Sequence, residues 1–136
     1  MKKVLFSFLA VLFLAVACQS PPEPPIVINV EVRNTNWVHT WADHGDLFSC
    51  LIPVPQLTRN IANNGAVMVY LEWTENRVTW QRPLPQAIPA TDGVNLWTEH
   101  IDFEFSAGFI QIFFTISDFY YEWLPGTHNF RIVLMQ

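Results

Sequence analysis

The chain has 136 residues, is 51% hydrophobic and carries a formal net charge of −5. Its only lysines are Lys2 and Lys3, so residues 18–136 hold five arginines against twelve acidic residues, a net charge of −7. Such a segment lacks the clustered positive charge that nucleic acid or anionic head groups require, and both partner classes are excluded.

The first element is a targeting segment. Lys2 and Lys3 form a cationic start, Val4 to Val16 an apolar run too short to span a bilayer comfortably, and Leu14-Ala15-Val16-Ala17 places small residues before Cys18. This resembles the lipobox of bacterial lipoprotein precursors. The resemblance implies removal of residues 1–17, lipidation at Cys18 with palmitate-type acyl chains, and anchorage at the outer membrane. A non-lipidated signal cut after Ala15-Val16-Ala17 leaves the cysteine unexplained. An uncleaved membrane helix is opposed by the run's length and by the break into Gln19-Ser20-Pro21-Pro22-Glu23-Pro24-Pro25. That proline-rich stretch, with Cys18, forms an 18–25 tether; its seven residues after the cysteine span about 20 Å in an extended polyproline conformation. Residues 26–136 are then a single domain, and the 119 residues from Cys18 onward are enough to bury about two-thirds of the unfolded surface without metal or disulfide.

From Ile26 the chain reads as short strands. Ile26, Ile28, Val30 and Val32 alternate with polar neighbours. A second strand is expected over 37–42, with Trp37, His39 and Trp41 on one face, and a third over 47–52, with Phe48, Cys50 and Ile52 inward. Apolar burial makes Cys50 an inert thiol. Thr58 and Gly65 bracket one or two helical turns as N-cap and C-terminal stop, unless Asn64-Gly65 is a hairpin turn. The segment 66–73 is apolar on both faces until Glu72, as in a central strand covered on two sides. Glu75-Asn76 turns into a strand over 78–82. Pro83, Pro85 and Pro89 then mark a long connection reaching Trp97.

Residues 98–105 alternate, with Ile101, Phe103 and Phe105 inward against His100, Asp102 and Glu104. After a hairpin at Ser106-Ala107-Gly108, Ile110, Ile112, Phe114 and Ile116 share the core face of the next strand. A last strand follows Pro125-Gly126 over 130–135. The fold class is all-β: an antiparallel β-sandwich or open barrel of seven to eight strands with at most one short helix.

A second resemblance rests on Pro55-Gln56-Leu57-Thr58, Ile61, Gly65-Ala66-Val67-Met68-Val69-Tyr70, Trp80, Leu84-Pro85 and Phe130-Arg131-Ile132-Val133. Together they are similar to small uncharacterised lipoproteins of Bacteroidetes-type bacteria, over about residues 48–136. The resemblance implies a shared β domain behind a lipid anchor, and brings no activity or catalytic residues with it.

Four constellations bear on function. His39, Asp43, His44 and Asp46 have metal-ligand chemistry, but their spacing fits no established site and Asp-His-Gly-Asp is ordinary turn composition. Asp102 and Glu104 sit about 6.5–7 Å apart on one strand face beside His100, a carboxylate spacing seen in inverting glycosidases but equally the pattern of a solvated strand. No nucleophile elbow, phosphate loop or paired C-x-x-C occurs. Of the six tryptophans, Trp41, Trp97 and Trp123, with Tyr120 and Tyr121, lie beside expected turns and are candidate binding aromatics. The expectation is therefore a lipid-anchored, non-catalytic binding domain without cofactor or metal. It serves as accessory or structural partner of another envelope protein, or, alternatively, as a carbohydrate-binding module.

Overall fold

The computed structural model describes residues 23–42, 45–117 and 124–136, with backbone alone at 41, 42, 45 and 46. The signal segment, Cys18, Asp43, His44, Tyr120, Tyr121 and Trp123 lie outside the described residues. Nine strands are β1 (Ile26–Val32), β2 (Val38–Ala42), β3 (Gly45–Pro53), β4 (Ala66–Glu75), β5 (Val78–Pro83), β6 (Gln86–Thr91), β7 (Leu96–Ser106), β8 (Phe109–Ile116) and β9 (His128–Met135). A single turn of 3-10 helix spans Asn34–Asn36, and the helix α1 spans Arg59–Asn64. All ladders are antiparallel. They form a four-stranded sheet in the order β1-β9-β4-β5 and a five-stranded sheet in the order β2-β3-β8-β7-β6. The two sheets make a β-sandwich, not a closed barrel.

The alternation that defines each strand also defines the core. From the four-stranded sheet come Val32, Val69, Leu71, Phe130, Ile132 and Leu134; from the five-stranded sheet come Phe48, Cys50, Ile52, Ile101, Ile110, Ile112, Phe114 and Ile116, all buried. Register makes the inward sets coincide: Ile132 lies opposite both Ile28 and Val69, and Phe114 opposite both Phe48 and Ile101. Trp37 closes one end, buried against Phe114 and His128, with its indole Nε1 donating to the Gly126 carbonyl at 3.2 Å.

The opposite end is closed by residues 54–65. Thr58 caps α1 as its position indicates, its hydroxyl accepting from the Ile61 amide at 3.2 Å. A six-residue helix has no stability of its own, and Ile61 and Leu57 hold it through burial in the core. This end also carries the β7–β8 turn, since Gly108 N donates to Leu57 O and accepts from Val54 N through its carbonyl. The first residue of β1, Ile26, pairs near the same end, with Leu134. The β4–β5 and β6–β7 turns lie at the Trp37 end, away from the start of β1.

Four expectations are corrected. Residues 86–91, read as part of a long connection, form β6; Pro89 is tolerated because β6 is the edge of its sheet, where a missing N–H costs no ladder bond. The strand β4 is central but covered on one side only, with Met68 37% exposed and Tyr70, Glu72 and Thr74 turned outward. Phe105, expected inward, is 42% exposed near the β7–β8 turn, where its ring stacks on Phe103. Trp37 precedes β2 and packs as a plug at its start.

Candidate functional site

The residues singled out from sequence are dispersed. His39 projects to the core side of β2, half-buried, its ring centroid 5.2 Å from that of Phe48. The backbone of Asp46 pairs with that of Trp41, while Asp43 and His44 fall outside the described residues. Among the described residues no three His, Cys, Asp or Glu side chains are grouped to hold a metal ion. His100, Asp102 and Glu104 stand on the exposed outer face of β7, opposite Thr115, Phe113 and Gln111. They line no cleft. Cys50 is buried, and that burial raises its thiol pKa.

Of the candidate aromatics only Trp97 has a described side chain. It is half-buried against the core, its indole Nε1 donating to a Glu99 carboxylate oxygen at 3.4 Å. A ring half-buried in this way is packing as much as platform.

Two features not singled out from sequence stand out instead. The first is the outer face of the five-stranded sheet. On β2, β3 and β8, Val38 (62% exposed) and half-buried Phe113 lie on either side of Ser49, while Leu51 (58%) lies two residues further along β3 and Phe109 (45%) lies opposite Pro53. Ser49 is itself buried beneath them. Gln111 sits among them, opposite Leu51 and between Phe109 and Phe113, and Thr115, Asp102 and Glu104 form a polar border on β8 and β7. The signal was present in the β3 and β8 sequences, whose second faces hold Leu51, Phe109 and Phe113 where a solvated face would be polar.

The second is an inter-sheet cleft of about 430 Å³, lined among others by Leu71, Trp73, Arg82, Ile88 and His128. It lies between β4 and β5 of one sheet and β6 of the other. Arg82 holds its guanidinium over the Trp73 ring, 4.6 Å from the centroid, in a cation–π contact. Trp80 sits directly across the ladder from Trp73 and is 51% exposed. This pairing follows from the two-residue turn at Asn76-Arg77, whose positive φ angles (52° and 65°) match the twist of a tight hairpin. Reading that turn from Glu75-Asn76 alone leaves the register of the two tryptophans open.

No protein-family model, no curated protein and no solved structure matches the chain. The class defined by the coordinates is thus the antiparallel β-sandwich alone. Among the described residues no helix is long and apolar enough to cross a membrane.

Proposed function

We propose that the chain is a lipid-anchored protein of the bacterial outer membrane whose β-sandwich binds rather than catalyses, acting as accessory or structural partner of another envelope protein. The lipobox ending at Cys18 supplies the address, and the tether of residues 18–25 leads into β1. One observation carries the binding reading: Val38, Phe109 and Phe113 all lie diagonal to Leu51 on the outer face of the five-stranded sheet, grouping four apolar side chains there around Gln111. Three exposed apolar side chains grouped diagonally across neighbouring strands, with a polar border, have the usual form of a protein-docking surface.

The test is co-purification of the full-length lipidated protein from its native membrane in mild detergent, beside Leu51→Glu and Cys18→Ser variants. The reading expects one protein to recur in near-equal amount with the unmodified chain and to be lost with Leu51→Glu. Leu51 is 58% exposed, so glutamate there changes the stability of the domain itself by no more than about 0.5 kcal/mol. Recovery of the same partner with Leu51→Glu, or of none with the unmodified chain, contradicts it.

A carbohydrate-binding reading has support from a different place, the exposed Trp80 beside Trp73 and Arg82, and leads to a separate site.

A further inference from the structure

We infer that the inter-sheet cleft and the adjoining inner face of β5 form a binding site for a carboxylate-bearing sugar, as found along an acidic polysaccharide. The inference starts from Arg82. Arg33 is paired with Glu31 at 2.7 Å, and Arg131 donates to the Gln81 side chain at 3.1 Å. The guanidinium groups of Arg59, Arg77 and Arg82 make neither a hydrogen bond nor an ion pair among the described residues, and of these three Arg82 is the one held over an aromatic ring, that of Trp73. A fork of N–H donors fixed against an aromatic face is prepared for a bidentate carboxylate.

The neighbouring groups narrow the ligand further. Trp80 is on the same face of β5 as Arg82, two residues away, with their backbone positions about 6.5–7 Å apart. A pyranose stacked by its flat C–H face on the exposed indole therefore has the guanidinium beside its ring edge, where a carboxylate would sit. The cleft wall adds groups suited to hydroxyls. His128 Nδ1 lies 2.9 Å from the Gly126 carbonyl, which only accepts, so Nδ1 carries the proton and donates there. Thr127 and Asn129 flank it.

Glu72 also borders the cleft, but its carboxylate accepts from Gln81 Nε2 at 2.7 Å on the outer side of the sheet and does not face Arg82's open donors. A volume of about 430 Å³ holds one or two sugar residues, and β5, exposed along its whole length, lets a polymer continue beyond them. A neutral sugar offers the guanidinium no charged, bidentate acceptor, so the carboxylate decides selectivity.

The site is on a different face from the Leu51 area, and its test is independent of the docking test. Full-length lipidated protein in detergent micelles is titrated with tri-galacturonate and with the neutral galactose trimer of the same linkage, following tryptophan fluorescence and the heat of binding. The acidic trimer is expected to bind about 10- to 100-fold tighter than the neutral one, and Arg82→Gln to abolish that difference. Trp80→Ala is expected to remove most of the fluorescence response and weaken both ligands. Arg82 and Trp80 are exposed, and unchanged thermal unfolding of both variants shows that the fold is kept. Equal affinity for the two trimers, unaltered binding by Arg82→Gln, or no binding of the acidic trimer at millimolar concentration overturns the inference.

Discussion

Substituting Gly65 by alanine tests how the helix–strand junction is built. A glycine after a short helix is ordinarily read as a left-handed stop, but Gly65 has φ −97° and ψ −160°, extended backbone open to any residue. What excludes a side chain is space. A Cβ at Gly65 would stand 2.2 Å from the Met135 carbonyl oxygen and 3.0 Å from that of Ile61, both backbone atoms. The end of β9 would have to retreat by the better part of an ångström. Overpacking of this kind costs about 1–3 kcal/mol. Met135 pairs with Ala66 at the end of the β4–β9 ladder, so peeling that one pair caps the cost near 1–2 kcal/mol, about one or two hydrogen bonds. At this chain length that lowers the melting temperature by roughly 4–10 °C. Thermal unfolding followed by far-UV circular dichroism provides the assay, with Gly126→Ala as comparison, because a Cβ at Gly126 meets nothing within 4 Å. If Gly65→Ala melts with Gly126→Ala, the close approach is not what selects glycine.

Other consequences follow from the turns. Arg77 occupies a left-handed position (φ 65°) that costs an L residue about 1–2 kcal/mol, so Arg77→Gly, after the extra chain entropy lost by glycine, is expected to stabilise the fold by about 0.5–1 kcal/mol. A lower melting temperature would contradict this. At the β6–β7 tip the Asp92 carboxylate accepts from the amides of Asn95 and Val94 and from the Asn95 side chain, which holds its pKa below the ordinary carboxylate value. Because the folded value is the lower one, the contribution of this cap is present at neutral pH and is lost as the pH falls through the folded pKa. Amide-exchange protection at Val94 and Asn95 should therefore drop in acid in the unmodified chain, while an Asp92→Ala variant should lack that acid-dependent loss; a tip whose protection is indifferent to pH would refute the cap.

Much of the fold was legible because it rests on local alternation. Ile110, Ile112, Phe114 and Ile116 announce both β8 and its inward face, and Thr58 announces the start of α1. Features set by where a strand falls in its sheet were not legible. Pro89 reads as a breaker until β6 is known to be an edge strand, and Phe105 reads as core until the end of β7 is seen beyond the partner sheet's cover. The apolar second face of β4 suggested two covered sides, whereas Met68 and Tyr70 face outward.

The candidate sites fared differently for the same reason. Asp102 and Glu104 share a strand face by spacing alone, and the structure leaves that face in solvent. The cleft joins Arg82 to Ile88 across two sheets, a proximity that no local pattern encodes. The Leu51 area was half legible, since its apolar residues alternate with core residues on β3 and β8, but its continuity depends on the β3–β8 register.

Docking through the outer face is tested most directly by a photo-crosslinking residue placed at position 51 of the full-length protein in living cells, compared with one at position 102 on the polar border. The account expects a single crosslinked envelope protein from position 51, dependent on Cys18, and little or none from position 102. Absence of any adduct from position 51, or the same adducts from both positions, would contradict it.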